Sequence, residues 1–252
     1  MKNSTVLFEQ RGHVAIITLN RPEAYNSVTK ELTDELVQCI NRAESDDSVR
    51  AIVLTGAGDR AFCAGLDLKV LAADASALSE DRPILDAFAN RKKPMIGAIN
   101  GYAITGGFEI ALMCDILLAS ENAVFADTHA KVGLIPGWGL SQKLQRLIGT
   151  ARAKELSFTA KKINAKTAEA WGLVNHVFPI DQLLDEAVNM ASQMAQHNPE
   201  FLQKLKMVID VGANMNIEDA IEYEYGESRR HNDVLDYSNM ERKLQVMRNK
   251  DN

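Results

Sequence analysis

Glu109 stands two residues after the pair Gly106-Gly107, at the head of the apolar, helix-prone run "GGFEIALMCD". The combination is costly. Paired glycines weaken a helix, and a carboxylate flanked by Phe108, Ile110, Ala111 and Leu112 loses solvation. Desolvation raises a carboxyl pKa toward the range useful for proton transfer, so Glu109 is a candidate acid/base. A glutamate at a helix start is also a good partner for the helix dipole without any chemistry. A second glycine-bearing loop, "FCAGLDL" (62–68), resembles "ITGGFE" (104–109) in lying between a buried strand and a helix. Such junctions leave backbone N–H groups unpaired, and a helix start favours an anion. Two such N–H groups from neighbouring loops could bind one oxyanion, with glycine keeping side chains out of the way. The same glycines would equally serve two tight turns and nothing more.

Other chemistries find no support. Gly101 to Gly107 lacks the Lys-Ser/Thr pair of a phosphate loop, and "GAG" at 56–58 is a lone GxG without a third glycine. No HExxH, tight His/Cys cluster or GxSxG occurs, so neither a metal site nor a serine nucleophile elbow is expected. The net charge of −6 argues against a nucleic-acid surface. Arg91-Lys92-Lys93 and Arg229-Arg230 read as short solvated groupings. Cys39, Cys63 and Cys114 are odd in number and far apart, which reads as buried thiols of a reducing compartment. The first residues lack the apolar core of a signal peptide, and no apolar run reaches the roughly 20 residues of a membrane span. "RNKDN" is not a peroxisomal address, so a cytoplasmic protein with no membrane partner is expected.

The elements that must position these loops follow from periodicity. "VLFEQ" and "VAIITLN" flank Arg11-Gly12-His13 as a hairpin. Helical spacing of Leu32, Leu36, Cys39, Ile40 and Ala43 predicts an amphipathic helix over 29–43. "AIVLTG", "PMIGAIN", "DILLAS" and "LVNHVF" read as strands, and residues 83–90 as a helix. Thr150 reads as the cap of a helix reaching Phe158, and Thr167 as the start of a short helix that Gly172 stops. Buried strands alternating with helices to about residue 180 define an α/β chain. Beyond it, helices are predicted over 181–197, 199–211, 217–230 and 238–248.

"AFCAGLDL", "INGYAITGGFEIALMCDILLAS" and "FADTHAKVGLIPGWGLSQKL" resemble successive signature blocks of the crotonase (enoyl-CoA hydratase/isomerase) superfamily. "LNRPEAYNSV" and "NAKTAEAWGLVNHVFP" resemble its flanking blocks, so the likeness covers nearly the whole chain. The resemblance implies a ββα spiral core over residues 1–195 and a C-terminal α-helical oligomerisation region over 196–252. It implies a homotrimer, or a hexamer built as a dimer of trimers. It implies an acyl-CoA thioester substrate whose enolate is stabilised, with no cofactor beyond the coenzyme A that the substrate carries. The oxyanion donors would be the N–H groups of Leu66 and Gly106. Ala24, Ala64 and Leu68 would line the CoA path, and Arg21 would meet its phosphates or form a surface ion pair. Gly65, Asp67, Gly107, Pro136 and Gly137 complete the implied substrate-binding set.

Hydratases of this superfamily place two glutamates beside the substrate double bond. Glu109 matches the first, and His129 occupies the position of the second. An imidazole ordinarily titrates near neutrality, so His129 suits acid/base work, though it could also lack a catalytic part. Asp127 would share the face of His129 in an extended segment and is the alternative substitute for the second glutamate. The leading activity is hydration of a trans-2-enoyl-CoA to a 3-hydroxyacyl-CoA. The alternatives are an enoyl-CoA isomerase, or another single-carboxylate reaction, and a catalytically silent acyl-CoA-binding protein.

Overall fold

The computed structural model of the chain describes residues 4–73, 82–235 and 237–239. It divides into two compact units, residues 1–203 and 204–252.

In the first unit, β1 (Val6–Arg11) and β2 (Val14–Leu19) pair antiparallel, with Arg11 opposite Val14 and Gly12 at φ +57° in the turn. β2 continues into a parallel array with β3 (Ala51–Gly56), β5 (Met95–Ile99), β7 (Ile116–Ser120) and β10 (His176–Phe178). A smaller sheet joins β4 (Ala61–Cys63), β6 (Tyr102–Ile104) and β8 (Val124–Ala126) in parallel, with β9 (Lys162–Asn164) antiparallel on β8. Each turn of the chain adds one strand to the large sheet, one to the small sheet, and then helix. β3 and β4 lead to α2 (Leu68–Ala73) and α3 (Arg82–Ala89). β5 and β6 lead to α4 (Gly106–Leu112), and β7 and β8 to α5 (His129–Val132) and α6 (Leu140–Ile148). This is the α/β, ββα spiral that the signature blocks imply. The small sheet was not legible in the sequence, because strands of three residues are too short to carry a period of two.

Both faces of the large sheet are covered, which explains its unbroken apolar strands. Ala15, Ile17, Leu19, Ile52 and Leu54 face the main core. Val14, Ile16, Val53, Ile96 and Ala98 face Leu183, Ala187 and Ala191 of α9 (Leu183–Met194). α1 (Lys30–Ser45) buries Leu32, Leu36, Ile40 and Ala43, and Thr29 caps it by accepting from Leu32 N–H at 3.3 Å. Two helix starts differ from expectation. α7 (Thr150–Thr159) has Gly149, not Thr150, at its N-cap. α8 (Ala165–Ala170) begins two residues before Thr167, because Asn164 Oδ1 accepts from Thr167 N–H at 2.9 Å.

In the basic run at 91–93 Lys92 is exposed as expected, but its neighbours are not solvated surface. Arg91 and Lys93 are each 5 % exposed. The Arg91 guanidinium forms a two-pronged pair with Asp115, at 2.6 and 3.1 Å. Lys93 Nζ donates to the carbonyls of Ala43 and Asp46 at 2.7 and 2.8 Å, closing the C-terminal end of α1. Burial is what lowers the Lys93 pKa, against the pull of Glu44, Asp46 and Asp47. Arg229 and Arg230 are the surface residues expected, paired with Asp233 and Glu227. Among the described residues the cysteines are free thiols. Burial pushes Cys63 and Cys114 up to about 12, so both are inert as nucleophiles.

The second unit takes in the end of α10 (Pro199–Gly212) and α11 (Ile217–Asn232), which Asn216 caps through Asp219 N–H at 3.0 Å. Lys204 Nζ lies 3.4 Å from Glu227 Oε2, tying the two helices. The unit leaves Ile209, Ile217, Ile221 and Tyr225 uncovered by its own residues. The helix predicted at 238–248 lies almost wholly outside the described residues. Among the described residues no helix is long and apolar enough to cross a membrane.

Candidate active site

The two glycine loops meet where β4 and β6 end side by side in the small sheet. Gly65, at φ +91°, passes so close that an added Cβ would lie 2.9 Å from Ile104 O and 3.3 Å from Gly106 N. A Cβ on Gly106 would stand 3.7 Å from Leu66 N. Among the described residues, neither the Leu66 N–H nor the Gly106 N–H donates to a protein acceptor. Both residues border one cavity of about 220 Å³. Two free donors from two loops therefore open onto one space.

The glycines of α4 divide differently than expected. A Cβ on Gly107 would lie 1.9 Å from Cys63 O, so Gly107 is there because α4 presses on β4. It does not line the cavity. Gly106 meets nothing closer than 3.6 Å and faces the cavity.

Glu109, 3 % exposed, lies in the first turn of α4. Its Oε1 accepts from Trp138 N–H at 2.8 Å and Leu140 N–H at 3.3 Å, at the start of α6. Burial raises its pKa; these N–H groups and His129 offset part of that, and Asp127 adds to it. The carboxyl is thus positioned by a helix 29 residues away in sequence, a contact no local pattern reveals.

His129 opens α5, and its Nε2 lies 3.8 Å from Glu109 Oε2. Asp127 does not border the cavity. The chain is not extended here: Asp127, 1 % exposed, turns back so that its Oδ1 accepts from His129 N–H at 3.1 Å and meets His129 Nδ1 at 2.7 Å. Burial pushes the Asp127 carboxyl up, but the His129 contacts outweigh it and hold the pKa low. Asp127 Oδ2 is buried without a hydrogen bond of normal geometry, although the nearby Ser157 hydroxyl also favours the charged form.

The remaining expected residues divide. Ala64 and Gly137 line the cavity with Leu66, Gly106, Glu109 and His129, whereas Ala24, Asp67 and Pro136 do not. Arg21 does not stand free for a phosphate. Its guanidinium pairs with Asp67 at 3.1 Å and donates to Ser27 O at 2.5 Å, bracing the loop that carries Leu66. Leu68 opens α2, and its side chain lies outside what is described. Sequence reasoning missed Thr105, Thr128, Val132, Leu134, Ile135 and Trp138, which complete the wall. The tryptophan inside "GWGLSQ" was a signal that could have been read, since a large aromatic between glycines in a site block has few other uses.

Comparison with known proteins shows the family. The enoyl-CoA hydratase/isomerase family profile matches residues 9–246, and the chain belongs to that family. A probable peroxisomal enoyl-CoA hydratase 1 of Arabidopsis thaliana is 40% identical over 220 residues, covering 86% of this chain and 82% of that protein. The crystal structure of an enoyl-CoA hydratase from Bacillus anthracis superposes with a TM-score of 0.89 at 32% identity, covering 98% of this chain and 96% of its own. A monofunctional enoyl-CoA isomerase from M. smegmatis superposes with a TM-score of 0.76 at 34% identity, covering 87% and 99%.

Proposed function

We propose that this enzyme adds water across the double bond of a trans-2-enoyl-CoA to form a 3-hydroxyacyl-CoA. The observation that carries the reading is the cavity itself. Two unpaired N–H groups, of Leu66 and Gly106, open onto the space bordered by Glu109 and His129. The thioester oxygen accepts from both donors, and they hold the negative charge that develops as the substrate becomes an enolate. Losing one such donor typically costs on the order of 100-fold or more in rate.

Hydration needs one proton taken from water as its oxygen bonds C3, and one delivered to C2. Glu109 and His129 together supply these with one shared proton, as a carboxyl beside a neutral imidazole or a carboxylate beside an imidazolium. After each turnover the base carries the proton and the acid lacks it. Transfer between Nε2 and Oε2, 3.8 Å apart, resets the pair. No cofactor is required beyond the coenzyme A of the substrate. The uncovered apolar side chains of the second unit support a homotrimer or hexamer. Three free cysteines support a reducing, cytoplasmic setting.

The second reading is enoyl-CoA isomerisation, favoured by the isomerase relative. Incubation with crotonyl-CoA, followed by loss of the conjugated enoyl absorbance, separates them. Turnover supports hydration. No turnover with crotonyl-CoA, but appearance of that absorbance from a 3-enoyl-CoA, would replace hydration by isomerisation. Binding without either change would leave an acyl-CoA-binding protein.

A further inference from the structure

The position that differs from the two-glutamate arrangement is held by a carboxylate on its far side. We infer that Asp127 is a positioning residue that fixes the His129 ring as its Nδ1–H tautomer, so that Nε2 faces Glu109 as the exchanging nitrogen. The inference deepens the hydration reading and rests on it for its kinetic part.

Three observations carry it. Asp127 Oδ1 meets His129 Nδ1 at 2.7 Å and also accepts the His129 backbone N–H at 3.1 Å. The two bonds clamp ring and main chain to one oxygen. An ionised carboxylate only accepts, so the ring nitrogen facing it must carry hydrogen. In a neutral imidazole the other nitrogen is then bare. That other nitrogen, Nε2, points toward Glu109 Oε2 at 3.8 Å and borders the cavity, whereas Asp127 does not. Asp127 therefore acts on the substrate only through the ring. A glutamate at position 129 would need no such support. An imidazole does, since the wrong tautomer presents N–H where a base is required.

The test has one arm that does not involve activity. Histidine labelled with ¹⁵N, observed by NMR at a pH where the ring is neutral, reports which nitrogen carries hydrogen. The expected result is a single His129 tautomer with Nδ1 protonated. An Nε2-protonated ring in the unaltered protein overturns the inference outright. Asp127→Ala should lose the single tautomer and lower kcat for crotonyl-CoA roughly 100-fold, with KM moving only a few-fold. Asp127→Asn keeps an oxygen that accepts from Nδ1 but not the charge, and should recover part of kcat. If Asp127→Ala keeps the Nδ1–H tautomer and kcat within a few-fold, Asp127 has no positioning part. Should the alanine variant fail to fold, the NMR signal of the unaltered protein decides the tautomer, and an Asp127→Asn kcat equal to that of the unaltered protein overturns the part given to the carboxylate. If the unaltered protein does not hydrate crotonyl-CoA, the hydration reading fails, while the tautomer still decides the inference.

Discussion

The hydroxyls of Thr105 and Thr128 hydrogen-bond each other, and Thr128 N–H donates to Thr105 Oγ1 at 3.1 Å. Thr105 immediately precedes Gly106 and holds φ +52°, ψ −111°, a backbone conformation that a β-branched residue reaches only under constraint. Thr128 lies between Asp127 and His129. The bond therefore ties the turn that aims the Gly106 N–H to the segment that carries the imidazole. Thr105→Val keeps the shape but removes both bonds and leaves Thr128 N–H without its acceptor. We expect a stability loss of about 1–3 kcal/mol by denaturant titration and a fall in kcat larger than the rise in KM. A variant with unchanged kcat would mean that the two loops are held independently.

Gly106 and Gly107 should separate in an alanine test. A Cβ at Gly107 would sit 1.9 Å from Cys63 O, so Gly107→Ala should yield little folded protein. A Cβ at Gly106 has ordinary contacts at 3.6 Å and beyond. Gly106→Ala should fold, with its circular dichroism preserved, yet turn over crotonyl-CoA far more slowly because the methyl stands at the proposed oxyanion position. Equal solubility of the two variants would contradict the assignment.

Glu109→Gln should lower kcat by roughly 10²–10⁴-fold. Its effect on stability has a definite sign. Burial raises the Glu109 pKa above its ordinary value. Ionising it therefore costs folding free energy, not at all below the ordinary carboxyl range and in full above the folded pKa. Glutamine keeps an acceptor for Trp138 N–H without the charge. Tm should thus rise for the variant at pH 8 and rise less at pH 4. Calorimetry showing the larger gain at pH 4 would reverse the argument.

Trp138, 6 % exposed, borders the cavity beside Glu109 and also a second one of about 270 Å³ lined by Leu85, Phe88, Ala89 and Met113 together with Arg82, Asp86 and Lys143. Trp138→Ala should join the two spaces. The expected outcome is a rise of roughly 10-fold or more in kcat/KM for an eight-carbon enoyl-CoA relative to crotonyl-CoA. An unchanged ratio across a chain-length series would show that the indole is not the barrier.

Much of the site was legible because it is local. The glycines, Glu109 and the Leu66 loop each sit at a strand–helix junction, and such junctions show in sequence as an apolar run broken by glycine. What was misread depended on remote partners. Arg91 and Lys93 looked like solvent-facing charge because only the fold supplies Asp115 and the open end of α1. Of the two readings open for Arg21, the sequence could not select the ion pair, because its partner Asp67 lies 46 residues on. Asp127 and His129 are two residues apart, yet their relation was also missed. A change from strand to helix between them, which no periodicity marks, decides whether they share a face or bond each other.

The order of the signature blocks by itself determined the family, the two glycine loops and the imidazole two residues after Asp127, because those depend on residue type and spacing alone. Only the tertiary structure decided how the groups are held. The start of α6 meets Glu109, Asp127 clamps His129, and Trp138 closes the wall. Those relations arise where separate turns of the spiral pack together, and the hydrogen bonds of 2.7 and 2.8 Å exist only once the fold has brought both partners to one place.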